Sequence, residues 1–423
     1  MTSSGPAVIV AVHDGYYGSG TGAGRSNRSF LTILCSLLAL GARLVVMPVL
    51  LTPGSPEYDP AWHKESAALV GQAGGEVIPV DNGTAGQSRF GDLGNFRQAS
   101  ASAAAAITRV LNQADPAVAV AFDAPFYGLA PLLPPRHAAR LVNVARATAA
   151  LHAPADHERH AWERAGLLAT ARSGGHIAAT SAHIRQHLTN AYGILPAAVI
   201  SLTNGLTPAE QCPGPARDDA ASLLPPQARQ RFMLSYGRAE PYKGFDDLLD
   251  ALSILKDAGT LVPHTVLGAV TEGPPLTGYQ QHLAHRITAG ELDATLLTTF
   301  TPGFQGLLAH PSLAAVIVPS RAEPFGRIPL EAYAAGASPV IATTAGGLAE
   351  IVTNDITGYT APPASPRALA SAISRAMAAG PAQKQRLLSA GRQLTRSRYD
   401  YQANVTAFLN AAAPWAVSPG QST

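Results

Sequence analysis

Cysteine, charge and lysine are all scarce in this 423-residue chain, and the scarcity of cysteine and of charge each excludes a class of protein. The two cysteines, Cys35 and Cys212, cannot form a disulfide framework and suit a reducing cytosol. Charged residues make up 14% and the net charge is +2, so composition provides no basic surface of the kind that binds nucleic acid. Only four of the 30 basic residues are lysines, an arginine bias common in GC-rich bacterial genomes.

The first residues and the most apolar stretch of the sequence predict neither a secretion signal nor a membrane span. The residues before Ala7 carry no positive charge, so we expect no secretory signal. The most apolar stretch, Phe30–Leu51, contains Gly41 and Arg43 and divides into a helix followed by a strand. We therefore expect a cytoplasmic protein without an integral membrane segment.

Hydrophobic residues make up 47% of the chain, and they occur in short apolar runs that alternate with segments of helical length. This alternation predicts parallel sheets covered by helices. The predicted strands are Ala7–Val12, Leu44–Leu50, Val77–Val80, Ala117–Phe122, Leu141–Val144, His176–Thr180, Ala198–Leu202, Phe232–Tyr236, Thr265–Leu267, Thr295–Phe300, Ala314–Val318, Pro339–Ala342 and Gly358–Thr360.

A proline-rich segment interrupts this rhythm and predicts a linker between two doubly wound domains. We expect an N-terminal Rossmann-like domain over 1–206, the linker over 207–231 and a C-terminal Rossmann-like domain over 232–395. Residues 396–423 are expected to form a helix that crosses back to the first domain, and a tail. In such α/β folds ligands bind at the carboxyl ends of the strands, so we expect the site where these edges face each other across a cleft.

The first motif is the glycine-rich segment Gly15–Gly24, which directly follows the first strand. Within it Gly18 and Gly20 allow close backbone approach, and a helix predicted to begin near Ser26–Ser29 offers its N-terminus to phosphate. The spacing also fits a loose dinucleotide fingerprint, although no acidic residue ends the second strand. The segment is thus a surface turn, a substrate-facing loop or a dinucleotide site.

The second motif runs from Ser235 to Phe245 at another predicted strand-to-helix turn. Arg238 and Lys243 are five residues apart across a loop that contains Pro241, so both cations can converge on one anion. A diphosphate is the natural partner for such a pair. The alternative is solvated charge at the start of a helix.

The third motif places Glu323 and Glu331 around a predicted helix start, with seven residues between them. Pro329 suits the first helical turn and predicts that Glu331 lies on it. Glu331 could accept both hydroxyls of a ribose and Glu323 those of a sugar, while N–H groups of 326–328 would face phosphate. Carboxylates that merely cap the helix are the alternative. Gly346-Gly347 follows the next strand and could bring N–H groups to the same diphosphate.

Together these motifs resemble the retaining nucleotide-sugar glycosyltransferases of family 4, which have the GT-B fold. The resemblance is detailed over about 232–359 and implies two Rossmann-like domains, a nucleoside diphosphate sugar as donor and no metal ion. The absence of an Asp-x-Asp triplet agrees with that implication. No Walker loop and no Gly-x-Ser-x-Gly elbow occurs.

The resemblance also implies roles at matching positions. Arg238 and Lys243 would stabilise the departing diphosphate, and Glu323 would hold the transferred sugar. The implied donor-binding residues are Gly18, Gly20, Gly237, Phe325, Gly326, Arg327, Ile328, Glu331, Gly346 and Gly347.

The sequence departs from the family near the predicted strand Leu141–Val144, where members often carry a histidine. Arg146 is nearest in register and His152 lies a turn or more later. Both are acceptor-binding candidates, as is Asp123 at the end of a first-domain strand. His183 and His187 lack the glutamate of a zinc protease motif and are interpreted as surface histidines.

The leading hypothesis is a retaining, metal-independent hexosyltransferase that moves a sugar from a nucleoside diphosphate sugar, with a UDP-sugar as the first candidate, to a small-molecule hydroxyl. A natural-product aglycone or an aminocyclitol is the expected acceptor class. The alternatives are a nucleotide-sugar epimerase on the same fold, an NAD(P)-dependent oxidoreductase and a two-domain sugar-binding protein. The Glu323–Glu331 and Arg238–Lys243 pairs are unexplained by an oxidoreductase, and a sugar-binding protein would need an export signal.

Overall fold

The computed structural model describes residues 5–18, 21–212, 222–271, 275–301, 303–337 and 339–418. The chain divides into two compact units. The first unit is Met1–Asn204 together with Tyr401–Thr423, and the second is Gly205–Asp400. Each unit contains one parallel sheet with its own hydrophobic core.

The first unit contains a seven-stranded sheet in the order β3-β2-β1-β4-β5-β6-β7, with every pair parallel. Its strands are β1 (Ala7–Val12), β2 (Arg43–Pro48), β3 (Glu76–Val77), β4 (Ala117–Phe122), β5 (Leu141–Ala145), β6 (His176–Ala179) and β7 (Val199–Ser201). Its helices are α1 (Gly22–Leu37), α2 (Pro60–Gln72), α3 (Leu93–Leu111), α4 (Pro135–Ala138), α5 (Ala149–His152), α6 (His157–Arg172) and α7 (Ala182–Tyr192).

The last helix of the chain, α16 (Tyr401–Ala412), belongs to this first unit. Val405, Phe408 and Leu409 are buried in the same core as the apolar face of α1. The rings of Phe408 and Phe30 meet edge to face with their centroids 6.1 Å apart. Burial of these side chains removes apolar surface from water and holds the C-terminal segment on the first sheet's helical layer.

The second unit contains a six-stranded parallel sheet in the order β10-β9-β8-β11-β12-β13. Its strands are β8 (Phe232–Arg238), β9 (His264–Thr271), β10 (Ala294–Thr299), β11 (Leu313–Val318), β12 (Val340–Thr343) and β13 (Tyr359–Ala361). Its helices are α8 (Pro208–Gln211), α9 (Phe245–Asp257), α10 (Gly278–Ala289), α11 (Gly303–Leu308), α12 (Arg327–Ala335), α13 (Leu348–Ile351), α14 (Pro366–Ala378) and α15 (Pro381–Arg398). Short 3₁₀ helices occur in both units. In the first unit they are Ala124–Phe126, Ala130–Leu132, Pro196–Ala198 and Pro414–Ala416, and in the second unit they are Pro226–Ala228 and Pro241–Lys243.

Both sheets reverse their strand order once, and this reversal positions the candidate sites. In the first sheet the chain winds outward in opposite directions from β1 and β4, and in the second from β8 and β11. Loops that follow two such neighbouring parallel strands leave from the same edge of the sheet and diverge, which opens a crevice there. The glycine-rich segment follows β1, whereas the second and third motifs follow β8 and β11.

Two helix starts differ from the sequence-based expectation. Helix α1 begins at Gly22 instead of near Ser26–Ser29, because the Thr21 hydroxyl caps it by accepting from the Gly24 N–H at 3.0 Å. Helix α12 begins at Arg327, so Glu331 lies on its second turn and not on its first. All thirteen predicted strands are present within a few residues of their expected bounds.

Candidate functional site

In the second unit, an ion pair joins the loops that follow β8 and β11. The Lys243 Nζ lies 2.6 Å from the Glu323 Oε2, and the two side chains are only 16% and 14% exposed. The Ser320 hydroxyl lies 3.4 Å from the same oxygen. The structure therefore brings together one residue from each of two motifs that are 80 positions apart in the sequence. A partly buried ammonium of this kind is less screened than one in open water.

Arg238 is exposed at the end of β8, beside the same loop. Its guanidinium donates to the Tyr242 hydroxyl at 2.5 Å, and its Cζ lies 5.9 Å from the centre of the Tyr242 ring. The Lys243 Nζ lies 5.5 Å from that ring centre. Both cations therefore lie beside one aromatic ring within one short turn, and their convergence on an anion stays a prediction.

Glu331 is 8% exposed and is held by hydrogen bonds from two directions. Its Oε2 accepts from the Tyr236 hydroxyl at 3.0 Å, and its Oε1 accepts from the Arg327 Nε at 3.2 Å. Arg327 is buried as well, and Tyr236 is stacked on Phe304 with the ring centres 5.5 Å apart. Glu331 is therefore a fixed carboxylate and not a loosely held helix-capping group.

Two glycines make the close approach of these loops possible. Gly326 adopts φ +96° directly before α12, and a Cβ there would lie 2.5 Å from the Leu348 side chain. Gly347 donates its N–H to the Glu323 carbonyl at 2.8 Å, and a Cβ there would lie 2.6 Å from Phe325 Cα. The Gly347 N–H, which we expected to face a diphosphate, is therefore engaged within the protein.

The remaining predicted donor-site residues of this unit lie around the same loops. Gly237 is in β8, where a Cβ would make an ordinary 3.6 Å contact with the Lys243 side chain. Phe325 is buried and packs edge-on against Tyr399, so its side chain serves the core. Ile328 is half-buried on α12, and Gly346 adopts φ +52° before α13.

In the first unit, the glycine-rich segment is occupied by the protein's own carboxylate. The Thr21 hydroxyl donates to Asp14 Oδ2 at 2.5 Å, and a Cβ on Gly24 would lie 2.5 Å from both Asp14 carboxylate oxygens. Gly18 is packed on the Glu57 carbonyl, which a Cβ would approach to 2.0 Å. Gly20 lies outside the described residues. The N-terminal turn of α1 is thus filled by Asp14, where a dinucleotide would need to place its phosphates.

Burial raises the pKa of the Asp14 carboxyl to about 6, and the hydrogen bond from Thr21 opposes that rise. The neighbouring His13 is also buried, and burial lowers its pKa. Both groups therefore favour their neutral forms more than they would in water. They are ionisable groups at the strand edge that the sequence analysis did not select.

Asp123 and Arg146, two of the acceptor-site candidates, are paired with each other. Arg146 donates to both Asp123 oxygens at 3.0 and 2.8 Å, and both side chains are less than 10% exposed. Arg146 also donates to the Ala23 carbonyl at 3.0 Å and to the Asn27 side chain. The pair joins β4 and β5 to α1, so the structure assigns these two residues a contact within the fold.

His152 ends α5 and lies in a group of histidines. Its Nδ1 is 3.4 Å from the Thr148 carbonyl. His187 is 2.8 Å from the Thr148 hydroxyl and stacks on His183 with ring centres 6.3 Å apart. Burial first, and then the positive charge of His183, His160 and His152, lower the pKa of His187 to about 4. The interpretation of His187 as an ordinary surface histidine was therefore wrong, because its ring is half-buried against Thr148 and Tyr192.

Three functional candidates escaped the sequence analysis: Tyr236, Tyr242 and Glu210. Tyr236 and Tyr242 lie within the second motif, so the position of the cations could have drawn attention to them. Glu210 pairs with Arg327 at 2.5 Å from within the predicted linker, and no local pattern indicates that contact.

Among the described residues, no group of three or more His, Cys, Asp or Glu side chains could hold a metal ion. No helix in the described ranges is long and apolar enough to cross a membrane.

A protein-family model matches a segment that lies within the second unit. Residues 219–393 match the family model described as Glycosyl transferases group 1. The chain is 33% identical over 239 residues to a glycogen synthase of Mycobacterium tuberculosis, which covers 56% of this chain and 53% of that protein. It is 32% identical over 203 residues to a D-inositol 3-phosphate glycosyltransferase of Frankia alni, covering 47% and 49%. The chain thus spans about half the length of these curated relatives.

Solved structures match over almost the whole chain. Anabaena Alr3699/HepE in complex with UDP and glucose superposes with a TM-score of 0.69 at 19% identity, covering 96% of this chain and 99% of that one. The sucrose-phosphate synthase of Thermosynechococcus elongatus gives a TM-score of 0.72 at 19% identity, covering 97% and 98%. At this identity the likeness concerns the fold. The predicted fold class, two Rossmann-like parallel-sheet domains as in GT-B glycosyltransferase structures, is confirmed.

Proposed function

We propose that this chain is a metal-independent, retaining glycosyltransferase of family 4 that transfers a sugar from a nucleoside diphosphate sugar, with UDP as the first candidate, to a hydroxyl of a small molecule. The observation that carries the proposal is the grouping of Arg238, Lys243 and Glu323 in two neighbouring loops of the second unit. Glu331 lies on the helix that follows the second of these loops.

Arg238 and Lys243 bind the donor diphosphate in this proposal. Cations placed beforehand against the leaving group stabilise the negative charge that develops as the sugar departs, without reorganisation during the reaction. Tyr242 and Glu323 supply the preorganisation, since one ring contacts both cations and the carboxylate fixes Lys243 at 2.6 Å. Because Glu323 accepts on one oxygen from Lys243, its remaining lone pairs can accept hydroxyl groups of the transferred sugar.

The reaction breaks the bond between the sugar's anomeric carbon and the diphosphate oxygen and forms a bond to the acceptor oxygen on the same face. The acceptor hydroxyl loses its proton to the departing diphosphate, so no external base is required. The configuration at the anomeric carbon is then retained. Electrostatic stabilisation by Arg238 and Lys243 is the main contribution that these protein residues make.

The acceptor class is proposed as a small polyhydroxylated molecule such as a cyclitol or a natural-product aglycone. The named relatives support this class, since several are D-inositol 3-phosphate glycosyltransferases. An oxidoreductase that binds NAD(P) through the glycine-rich segment is not favoured, because the Asp14 carboxylate fills the first turn of α1. An epimerase would need further acids or bases beside the sugar.

The test is a calorimetric and thermal-shift panel of UDP, GDP, ADP, dTDP and NAD(P) on the wild type and on Lys243→Ala and Glu331→Ala. We expect one nucleoside diphosphate to bind selectively and both variants to lose at least tenfold in affinity, since each removes a charge-assisted contact. Arg375→Ala, which removes an exposed ion pair with Asp355, is the matched control and should bind normally.

Turnover then decides the reaction. Incubation of the preferred nucleotide's sugar with a cyclitol and aglycone panel should release the nucleoside diphosphate only when an acceptor is present, and the product should keep the donor's anomeric configuration. Binding of NAD(P) alone, unchanged in both variants, would overturn the proposal. Donor isomerisation without an acceptor would instead identify an epimerase.

A further inference from the structure

Helix α15 carries a concentration of positive charge within the second unit. Its 18 residues include five cations and no carboxylate. Other arginines of this unit differ, since Arg286, Arg321 and Arg375 each reach an aspartate. The proposed reaction does not use α15, so its charge is available for another purpose.

Two of these cations, Arg392 and Arg396, line a hollow of about 490 Å³ together with Ser389, Gln393 and Ser397. All five side chains carry hydrogen-bond donors and none is anionic. Residues four apart lie on the same face of a helix, so two like charges at this spacing lower its stability unless an anion lies between them. The hollow is large enough for a small ligand.

Arg392 is held by the C-terminal end of α12. Its Nε donates to the Tyr333 carbonyl at 3.0 Å, and a Cβ on Gly336 would lie 3.0 Å from its Nη2. Gly336 ends α12 with φ +90°, and the missing Cβ leaves room for the guanidinium. Because the carbonyl end of a helix attracts a cation, the fork is oriented before any ligand binds.

Both arginines retain donors for a ligand. Within the described ranges of the chain, no group accepts a hydrogen bond from the two terminal nitrogens of Arg392. Arg396 is exposed and makes neither a hydrogen bond nor an ion pair with any described residue. Arg398 shows the contrast on the same helix, since its guanidinium lies 3.4 Å from Glu350. The charge of Arg392 and Arg396 is therefore not offset by a neighbouring carboxylate.

We propose that this hollow binds the phosphomonoester group of a small molecule such as a sugar phosphate. A phosphomonoester carries a charge of about −1.5 to −2 at neutral pH, which two guanidinium groups match, and each guanidinium fork can bond two of its oxygens at once. The site lies at the opposite end of α12 from the loop that carries Glu323. It is separate from the proposed donor residues, and the inference does not depend on the proposed function.

The experiment measures binding of inorganic phosphate, ribose 5-phosphate and ribose by calorimetry at pH 7.5. The wild type should bind both phosphates and not ribose. Arg396→Gln and Arg392→Gln should each weaken phosphate binding by about tenfold, as the loss of a charge-assisted hydrogen bond predicts. Arg396→Gln protects the test if Arg392→Gln, which also loses the contact with Tyr333, fails to fold. Arg386→Gln removes a cation of the same helix that does not line the hollow, and this matched control should bind normally.

Hydrogen exchange then locates the bound phosphate, which should protect peptides from 386–398 in the wild type and not in Arg396→Gln. The inference is overturned if the wild type binds neither phosphate, or if Arg386→Gln weakens binding as much as Arg396→Gln. Binding that is lost in Lys243→Ala and kept in both hollow variants would assign the phosphate to the loops after β8 and β11 and would also overturn it. Adsorption to vesicles of anionic phospholipid without binding of either soluble phosphate would identify a membrane surface as the partner instead.

Discussion

The two sheets reverse their strand order in the same way, yet the charged groups near the two reversal points are exposed to different extents. After β1 the Asp14 carboxylate accepts a hydrogen bond from Thr21, and after β4 Asp123 is paired with Arg146, which follows β5. After β8 and β11, Arg238 is exposed and Lys243 and Glu323 are partly accessible. The comparison teaches that a strand-order reversal creates a place for a site, and that the charges at the two places differ in how far the protein buries them.

The largest expected effect is on the pair that serves the fold. Arg146→Met should lower the free energy of unfolding of the first unit by about 3–5 kcal/mol, because it leaves the Asp123 carboxylate buried without its cation. Urea unfolding followed by tryptophan fluorescence measures this directly, since Trp62, Trp162 and Trp415 all belong to the first unit.

A second substitution sharpens that result. Asp123→Asn combined with Arg146→Met should recover part of the loss, because no buried charge then remains unpaired. If Arg146→Met leaves unfolding unchanged and abolishes transfer to the acceptor, the pair belongs to the acceptor site and the comparison between the two reversal points fails.

The next effect concerns two glycines with the same backbone conformation, one in each unit. Gly244 and Gly193 both have φ +70° beside a helix end. A Cβ on Gly244 would lie 2.0 Å from the Pro319 carbonyl oxygen, whereas a Cβ on Gly193 would meet only the flexible Arg164 guanidinium at 3.4 Å. We expect Gly244→Ala to cost about 2–4 kcal/mol and Gly193→Ala about 1 kcal/mol.

Scanning calorimetry of both variants checks this difference. Because the Pro319 carbonyl begins the loop that carries Glu323, Gly244→Ala should also weaken nucleotide binding, while Gly193→Ala should not. Equal destabilisation of the two variants would show that the conformation alone sets the cost and that the close approach of the β8 and β11 loops contributes nothing.

The strands and the candidate residues at the strand ends are the features that could be predicted from the sequence. Alternating apolar runs predicted the strands of the described residues, and the signal is clearest for central strands such as β1 and β4, which are buried along their whole length and therefore apolar throughout. Local spacing also selected Arg238, Lys243, Glu323 and Glu331 as candidates, and the structure places each near the end of a strand or the start of a helix. The start of α1 was predicted too late because Gly22 and Gly24 are poor helix formers, and the Thr21 cap outweighs them there.

Long-range pairing explains the rest. Asp123 and Arg146 are 23 residues apart and Arg327 and Glu210 are 117 apart, and these partners are fixed by the packing of separate elements. Burial of His187 likewise depends on Thr148, 39 residues earlier. No periodicity or spacing contains that information, so candidate residues chosen singly from the sequence could not be assigned to fold or ligand.

Titration provides a smaller effect within the first unit. The pKa of His187 is about 4 in the folded chain, whereas the ordinary value of 6.5 applies in the unfolded chain. Between pH 4 and 6.5 the unfolded chain therefore binds more protons than the folded chain. Stability therefore rises with pH through this window and is lost as pH falls from 6.5 toward 4. His187→Gln should remove this dependence, on the order of 2 kcal/mol after allowance for the half-exposed ring.

The pH dependence that His187 causes can be measured from the melting temperatures of the wild type and of His187→Gln between pH 4 and 8. His157→Gln, at an exposed position on α6, is the control. The two curves should converge at pH 8 and separate below pH 6.5. Parallel curves over the whole range would show that the histidine group does not remain neutral in the folded unit.

The smallest effect has the opposite sign and comes from Asp14. Burial raises its pKa from 3.8 to about 6, so between these values the folded chain binds more protons than the unfolded chain. Its contribution to stability falls as pH rises through the window, and above pH 6 the charged carboxylate costs stability in full. Asp14→Asn keeps an oxygen that can accept from Thr21 and should stabilise the first unit by about 1 kcal/mol at pH 8, with no gain at pH 4. The same tryptophan-detected unfolding experiment measures this difference in stability.

If Asp14→Asn is instead destabilising at pH 8, the first turn of α1 needs the charged Asp14 carboxylate. The glycine-rich segment would then depend on a fixed charge, as we propose for the motifs of the second unit.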